Sequence, residues 1–551
     1  MKIDQTPEHP NDDLSGPSIL WIYFFGLIIL IQIITLIIMP VVYDTIHLND
    51  TLFILNEASR IFRGLEPGVD YGSFFPGFTP RVIALAFSFT GPTVSALDVA
   101  PLLNLAIITP ITVLIFYKRL GPFSSAAMAA LITTCLLTRA PFEAFPALTH
   151  IVSAHSSYYN RIGLACALLI LVFVLVPLKD KRIFEYVGGF GAGFAMAIAL
   201  MSKWSFSFIF VAVLVALAIQ KRGNALFSFV TGTLILWIFL DPFGSNFFGS
   251  FNYMINTASS SGYFGGISSA IIKSANLVFW NLWPVSIFTV IFFITIPRII
   301  ENFQLTWLFS YLVISIVISI NLVVMGPFKM VGHQILPLVC ALSIICFEQV
   351  RALNSKEVNL TRVLSGFLLM GLLIPHALNS LVVTNDGMSK QNESTIIEGP
   401  MKGYVMRTPF PETKSEQKSI IEKASQEIAL HGGLTESSQY AAFIDGAQAL
   451  ASIGDLSHSG IISGSSLNFE FTLGSRPVTG FPLWLLPSSP ELINIHELPK
   501  DGDILILLKD GELIFRNLLL PYIESNFRLC VSTKIWDVYI RTTEKNFVCS
   551  M

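Results

Sequence analysis

The segment "HLNDTLFILNEASRIFRGLEPGVDYGSFFPG", residues 47–77, places charged side chains soon after a strongly apolar run that ends near residue 40. Four carboxylates alternate there with two arginines, and in chain order these residues are Asp50, Glu57, Arg60, Arg63, Glu66 and Asp70. Charged groups are costly beside hydrocarbon, so a cluster of them at a membrane boundary indicates a functional site. What kind of site it is depends on the rest of the chain.

The composition of the 551-residue chain is that of a polytopic membrane protein. Hydrophobic residues make up 53% of it and charged residues only 13%, whereas soluble domains carry about 25% charged residues. The formal net charge of −3 and the absence of a basic tract or nucleic-acid motif exclude nucleic acid as an expected partner. The first apolar run, residues 18–42, is too long for a signal-peptide core, so we expect a retained first membrane helix.

About eleven apolar segments have the length and composition of membrane spans. In chain order they are 19–42, 94–117, 122–138, 161–178, 183–201, 204–220, 224–240, 276–297, 304–324, 331–347 and 363–383. The turns expected on the inner side all carry Lys or Arg, which predicts a cytoplasmic N-terminus. An odd number of spans then places the C-terminal part of the chain outside. We therefore predict an integral protein of the cell's inner or plasma membrane.

The chain divides into a membrane domain and a soluble domain. Residues 1–383 form the predicted membrane domain, and its outer segments are 43–93, 139–160, 241–275 and 325–333. Composition becomes polar after Val383, which predicts a linker over 384–411 and a soluble α/β domain over 412–551. Within that domain, "KSEQKSIIEKASQEIALHGG" and "ELIFRNLLLPYIESNF" are typical of helices, whereas "AAFID", "DILILLK" and "WDVYIR" are typical of strands. Inside a span, "GGFGAGF" predicts helix packing rather than a nucleotide-binding loop.

The first outer segment resembles the GT-C class of membrane glycosyltransferases. An acidic residue follows the first helix, and a progression of Ala, Gly, Pro, Asp-Tyr and Pro leads to a short amphipathic segment that ends in Gly. The matching residues are Asp50, Ala58, Gly64, Pro67, Asp70, Tyr71 and Pro76, followed by "TPRVIALAFSFTG". The segment is similar to those of protein O-mannosyltransferases and of the lipid A aminoarabinose transferase. It departs from their usual "Asp-Glu" pair, because Thr51 follows Asp50.

The resemblance implies an enzyme that takes a sugar from a polyprenyl-phosphate carrier at the outer face of the membrane. The acceptor would be a lipid, a glycan or a protein. No motif requires a cofactor, and a divalent cation, Mg²⁺ or Mn²⁺, stays an open alternative. Two other functions also remain open, namely a transporter or flippase of lipid-linked sugars and a polymerase or ligase of surface glycans.

Asp50 is the predicted general base, and Asp70 is the predicted second catalytic carboxylate. A carboxylate at the water–lipid boundary is partly desolvated, which raises its pKa towards the value that a general base needs. The alternative roles are a helix cap for Asp50 and an ordinary turn for Asp70. Glu57 lies seven residues after Asp50 and hence on the same helical face, where it would contact substrate or form an ion pair with Arg60.

A departing phosphate needs cations, and the predicted outer turns supply Lys203, Lys329 and His333. For Lys203 the alternative is snorkelling of its ammonium group to the membrane interface. The other predicted substrate contacts are Arg60, Tyr71, Arg81, His150 and His155. The two histidines lack a closely spaced carboxylate, so we predict no metal ligand among these residues.

The predicted soluble domain contains only two cysteines, Cys530 and Cys549. On the outer side of a membrane disulfides persist, which favours a bridge between them. They flank "STKIWDVYIRTTEKNF", in which two strands joined by the "TTEK" turn would bring the cysteines together. The alternative is a pair of unrelated thiols.

Overall fold

The computed structural model describes residues 16–39, 41–44, 48–139, 153–155, 158–178, 182–261, 287–291, 335–352, 358–390, 399–406, 414–465, 467–480, 501–510, 513–544 and 547–549. Helices dominate it, and a small sheet lies near the C-terminus. The described α-helices up to residue 389 are α1 (Gly16–Ile37), α2 (Leu48–Phe62), α3 (Phe78–Thr90), α4 (Ala96–Phe116), α5 (Pro122–Leu137), α6 (Tyr158–Leu175), α7 (Arg182–Ser202), α8 (Ser207–Ile219), α9 (Gly223–Leu240), α10 (Ser245–Ser261), α11 (Ile335–Ala352) and α12 (Val358–Ser389).

Six of the described helices are long and apolar enough to cross a membrane, namely α1, α4, α6, α7, α9 and α12. Helices α5 and α8 are apolar but shorter. The protein is thus an integral membrane protein, and these helices fall where the sequence predicts spans. The predicted spans 276–297 and 304–324 lie outside the described residues except for 287–291, so the total of about eleven stays a prediction.

Side-chain contacts show that the polar ends of the membrane helices lie at two levels. Gln32 near the end of α1 donates to Thr134 near the end of α5, and Tyr158 at the start of α6 donates to the Leu97 carbonyl at the start of α4. One level holds the ends of α1, α5 and α7 and the beginnings of α4, α6 and α8, and we call it the site end. Helix α12 also ends there, because Thr384 Oγ1 donates to the Thr35 carbonyl over 3.4 Å. The hydroxyl of Thr138 and Nδ1 of His376 lie 2.8 Å apart at the same level. The chain beyond α12 therefore starts at the site end.

The opposite end is closed by two arginines that bind carbonyls in the last turn of α6 and just beyond it. Arg119 Nη1 donates to the Val176 carbonyl over 2.7 Å, and Arg222 Nη1 donates to the Val174 carbonyl over 2.9 Å. Glu185 pairs with both guanidinium groups, at 3.2 and 2.7 Å. Carbonyls at a helix C-terminus lack hydrogen-bond partners within the helix, and the two arginines supply those partners. We therefore assign this network a structural role as the C-terminal cap of α6.

The glycines of "GGFGAGF" pack α7 against α9, as the sequence predicts. A Cβ atom added at Gly193 would lie 2.3 Å from the Phe229 carbonyl oxygen, and one at Gly189 would lie 1.8 Å from Ser228 Oγ. Both distances are far below a van der Waals contact. Small residues at these positions let the two helix backbones approach closely.

In the residues that the structure describes, the C-terminal region contains a four-stranded sheet and three α-helices. The strands are β3 (Ile461–Ser463), β4 (Ile504–Leu508), β5 (Phe527–Ser532) and β6 (Trp536–Arg541), in the spatial order β3-β4-β6-β5. The helices are α13 (Lys414–His431), α14 (Glu436–Ala451) and α15 (Leu513–Asn526). Strand β3 is parallel to β4, and the other two pairs are antiparallel. A separate two-stranded pair joins β1 (Val42–Asp44) to β2 (Tyr404–Met406) in parallel.

Two local predictions in the C-terminal region are wrong. The segment "AAFID" lies inside helix α14 rather than in a strand, because Thr435 and Ser438 form a capping box and the following sequence is rich in alanine. The turn that joins β5 and β6 lies at residues 533–535, where the Thr533 N–H donates to the Trp536 carbonyl, so "TTEK" follows the hairpin. Cys549 lies beyond that hairpin, in a non-strand segment whose Val548 N–H donates to the Ile453 carbonyl.

Candidate functional site

Asp44, at the end of β1, is a fully buried carboxylate at the site end. Its Oδ1 accepts from the backbone N–H of His155 over 3.1 Å and from His155 Nδ1 over 2.6 Å. Its Oδ2 accepts from Thr51 Oγ1 over 3.0 Å and from the Tyr404 hydroxyl over 3.1 Å. Four donors occupy the acceptor positions of this carboxylate. Asp44 is therefore fixed by α2, β2 and the segment before α6, which fits a positioning role.

His155 joins Asp44 to a second carboxylate, Asp98. Because Nδ1 of the imidazole donates to Asp44, Nε2 is left facing Asp98 Oδ1 at 3.7 Å. Burial lowers the pKa of His155, but the carboxylates of Asp44 and Asp98 outweigh burial and raise that pKa above its ordinary value. The imidazole is thus held in one orientation between two acids, and its charged form is favoured.

Asp98 lies in the first turn of α4 and forms an ion pair with Arg139, which follows α5. The distance from Arg139 Nη2 to Asp98 Oδ1 is 3.2 Å, and the aspartate side chain is 15% exposed whereas the arginine is 2% exposed. Nε and Nη1 of Arg139 and Nε2 of His155 are buried and have no hydrogen-bond partner within the described part of the chain. Unsatisfied donors of this kind are rare in proteins, and their clustering here suits a polar or anionic ligand.

The first turn of α6 holds this cluster together. Arg161 donates to the carbonyls of Thr138, Arg139 and Ala154, so its guanidinium fastens both ends of the connection between α5 and α6. The hydroxyl of Tyr158 donates to the Leu97 carbonyl over 2.7 Å, directly before Asp98. These two side chains therefore fix the backbone on which the charged residues stand.

Lys203 follows α7 and lies against the same turn of α6. Its Nζ is 3.4 Å from Asn160 Oδ1 and 5.4 Å from the centre of the Tyr159 ring. Tyr159 in turn stacks on Phe75 of the first outer segment, with 4.0 Å between ring centroids. The structure thus brings Lys203, the "DYGSFFPG" segment and the His155 cluster to one turn of one helix.

Asp50 lies half-buried in the first turn of α2, beside Thr51, whose hydroxyl contacts Asp44. This position is compatible both with the predicted base and with a helix N-terminus stabilised by an acid. Asp70 is differently placed, because its Oδ2 accepts from the backbone N–H of Glu66 over 2.7 Å. That contact favours the turn role for Asp70 over the catalytic one.

Glu57, Arg60 and Tyr71 are packed inside the protein rather than on an open surface. Glu57 accepts a hydrogen bond from Ser73, and burial raises its pKa to about 8. Arg60 forms a bidentate pair with Glu470 of the C-terminal region, with its shortest contact at 2.7 Å, and its guanidinium lies 4.9 Å from the Tyr71 ring centre. These contacts favour a structural role over direct substrate contact.

The remaining predicted residues are either peripheral or not described. Arg81 pairs with Glu66 at 2.6 Å, and Asn246 donates to the same carboxylate over 2.9 Å. His150, Lys329 and His333 lie outside the described residues. Among the residues that are described, no group of three or more His, Cys, Asp or Glu side chains could hold a metal ion.

Sequence reasoning did not select Asp44, Asp98 or Arg139 as site residues. The sequence does contain a feature that points to these residues. Each is a charged residue within three positions of the end of an apolar run or of a membrane helix, where charges indicate functional sites. Their proximity could not be foreseen, since Asp44 and Asp98 are separated by two outer helices and Arg139 stands on a third membrane connection.

Comparison with known proteins finds no matching family model and no matching curated protein. Similar solved structures include ArnT from Cupriavidus metallidurans bound to undecaprenyl phosphate, with 10% identity, 95% of this chain and 98% of that chain covered, and a TM-score of 0.46. The same protein in the apo state has a TM-score of 0.40, with 10% identity and coverage of 95% and 98%.

The oligosaccharyltransferase of Archaeoglobus fulgidus, in complex with Zn and sulfate, has 12% identity, 94% of this chain and 73% of that chain covered, and a TM-score of 0.43. ArnT is the lipid A aminoarabinose transferase, and both proteins are GT-C enzymes, the class that the outer segment resembles. Because all three TM-scores are below 0.5, these similarities do not establish a function. The function proposed below is inferred from the chain's own residues.

Proposed function

We propose that the protein is a membrane glycosyltransferase that moves a sugar from a polyprenyl phosphate to a lipid, glycan or protein acceptor at the outer face of the membrane. The observation that carries this proposal is the cluster of acids and cations at the site end, where Asp44, Asp98, Arg139 and His155 meet between membrane helices. A cluster of charged residues is costly at a membrane boundary, so its presence there indicates a function.

The sugar of a polyprenyl phosphate already carries a good leaving group, so the enzyme has two tasks. It must deprotonate the acceptor, and it must stabilise the charge on the departing phosphate. Asp50 is the proposed base, since it is half-buried at the start of α2 and its neighbour Thr51 contacts the Asp44 carboxylate. Asp44 and His155 position the surrounding loops, and Asp98 pairs with Arg139 beside them.

Lys203 is the proposed contact for the phosphate of the donor. Its ammonium group lies at the site end beside Asn160 and the Tyr159 ring, next to the first outer segment. A charge-assisted hydrogen bond from an ammonium group to phosphate is among the stronger polar contacts in proteins. On the evidence of sequence alone, Lys329 and His333 are also proposed to contact the donor phosphate. On the same evidence, His150 is proposed to contact the acceptor or the sugar.

The distribution of charge favours transfer over transport. In the membrane helices that the structure describes, every Asp, Glu, Lys and Arg lies within five residues of a helix end. A transporter of lipid-linked sugars would place charged groups near the midplane, along the path of its substrate. The proposed outward orientation of the site end rests on the Lys and Arg residues of the opposite turns.

The test is incubation of the purified protein in proteoliposomes with a panel of radiolabelled polyprenyl-phosphate sugars. Transfer of label to an acceptor, or release of free sugar by hydrolysis, is the expected outcome for at least one donor. Movement of intact labelled donor between leaflets without cleavage would instead assign the protein to the transporter class. Extension of a labelled glycan by repeating units would identify a polymerase or ligase.

A further inference from the structure

Residues 399–406, just beyond α12, reach back into the site end. Strand β2 pairs in parallel with β1, so that Val42 lies opposite Tyr404 and Asp44 lies opposite Met406. The Tyr404 side chain is 6% exposed, and its hydroxyl lies 3.1 Å from Asp44 Oδ2 and 3.3 Å from the Met406 sulfur. A carboxylate is a far stronger acceptor than a thioether, so the hydroxyl proton is directed at Asp44.

The contact with β2 is reinforced by a second segment of the C-terminal region, which docks on α2 and α3. Asn56 of α2 accepts from the Phe471 N–H over 2.7 Å, and the Phe471 ring stacks on Phe87 of α3 with 5.8 Å between centroids. The Arg60–Glu470 pair is buried in the same contact, with side chains 2% and 1% exposed. The C-terminal region is therefore held against both helices of the first outer segment.

We propose that the C-terminal region is a structural part of the catalytic site and that Tyr404 is a positioning residue, which acts through Asp44 on the protonation of His155. The catalytic importance of Tyr404 depends on the proposed function, whereas its effect on the protonation of His155 can be measured without it. Tyr404 and Thr51 donate to one oxygen of Asp44, and both contacts of His155 are to the other oxygen. A change in the negative charge on Oδ2 of Asp44 therefore changes the electrostatic potential at the His155 imidazole.

The sign of the effect follows from the dipole of the phenol. The positive end of the O–H bond of Tyr404 points at Asp44 and so reduces the negative potential that Asp44 exerts on His155. Removal of the hydroxyl leaves the carboxylate with three donors and a stronger attraction for the imidazolium form. The pKa of His155 should then rise.

The other groups that face His155 are the same in the variant and the wild type. They are Asp98 with its partner Arg139 on the Nε2 side, the Tyr158 ring at 5.8 Å in an edge-on arrangement, and Arg161, whose guanidinium binds the neighbouring carbonyl of Ala154. None of them contacts Tyr404 among the described hydrogen bonds. A change at position 404 therefore reaches His155 through Asp44.

The test measures the titration of His155 in the full chain. The protein is labelled with ¹³C-histidine in nanodiscs, His155 is assigned with the His155→Gln variant, and the chemical shift is followed with pH. Tyr404→Phe should raise the pKa of His155, and 3-fluorotyrosine at position 404, a stronger donor of similar size, should lower it. Tyr522→Phe, a partly buried tyrosine of α15, is the matched control and should change nothing.

Opposite shifts from the two changes at position 404 support the inference, because a merely structural tyrosine would not give effects of opposite sign. If both proteins fold and His155 titrates as in the wild type, the inference is overturned. The fluorinated protein keeps the test decisive if Tyr404→Phe does not fold. Absence of transferase activity in the wild type would contradict the proposed function and leave the titration result as it stands.

Discussion

Replacement of Glu57 by Gln should remove a large pH dependence from the stability of the protein. Glu57 is fully buried and accepts a hydrogen bond from Ser73, while its Oε2 has no hydrogen-bond partner in the described part of the chain. Burial raises the pKa of its carboxyl from 4.5 to about 8. The folded protein therefore keeps Glu57 protonated at pH values at which the unfolded chain ionises it.

The sign and the size of the effect follow from this linkage. The stability that the protonated carboxyl contributes is complete below about pH 4.5 and is lost as the pH rises towards 8. At about 1.4 kcal/mol for each pH unit, this interval corresponds to at most about 5 kcal/mol. Gln has the shape of the protonated acid and cannot ionise, so Glu57→Gln should be similar to wild type at pH 5 and more stable at pH 8.

The assay is unfolding of the purified protein in detergent, followed by tryptophan fluorescence between pH 5 and pH 9. The wild type should become less stable than Glu57→Gln as the pH rises, and the difference should level off above pH 8. Glu422→Gln is the matched control, because Glu422 is an exposed glutamate on α13 and its loss should leave the wild-type pH dependence intact. Parallel curves for the wild type and Glu57→Gln would refute the assignment of Glu57 as a buried neutral acid.

Three further predictions concern donor binding, docking of the C-terminal region and the cysteine pair. Lys203→Ala should weaken binding of the polyprenyl-phosphate donor by about 1.5–3 kcal/mol and leave acceptor affinity unchanged, as measured by titration calorimetry; unaltered donor affinity would move the phosphate elsewhere. Arg60→Ala and Glu470→Ala should each cost about 3–5 kcal/mol of stability, and a double-mutant cycle should show that the double variant costs clearly less than the sum; strict additivity would mean that the pair is not coupled. Cys530 and Cys549 are paired as a disulfide, and non-reducing mass spectrometry after thiol blocking should recover one linked peptide, whereas two alkylated cysteines would exclude the bridge.

The helical architecture could be predicted because membrane spans are specified locally. Each needs only a long apolar run and polar ends, and the described helices begin and end within a few residues of those runs, as for α4 at Ala96–Phe116 against the predicted 94–117. The short segment at 78–91 is likewise a helix, Phe78–Thr90. The C-terminal region is less predictable, since a stretch such as "AAFID" satisfies the pattern of a strand and of a helix, and the cap at Thr435 decides between them.

The candidate site could be predicted in kind but not in composition. The sequence predicts a site in the outer segments. The structure places two of the predicted residues, His155 and Lys203, at the site end, and their roles stay predictions. Glu57, Arg60 and Tyr71 are buried in internal contacts instead. Arg60 pairs with Glu470, which is 410 residues away in sequence, so no local pattern reveals that contact. The contact between Tyr404 and Asp44 is equally hidden in the sequence, because it depends on the pairing of β2 with the residues that follow the first membrane helix.

Turnover of Asp50→Asn under saturating donor and acceptor shows whether an acid at the start of α2 activates the acceptor. We expect the rate of sugar transfer to fall by about 10²–10⁴-fold, with unchanged donor affinity and thermal stability. Asp510→Asn, which removes an exposed aspartate of the C-terminal region, should transfer sugar at the wild-type rate. Wild-type turnover in a folded Asp50→Asn protein would contradict the claim and leave Asp50 as a helix cap.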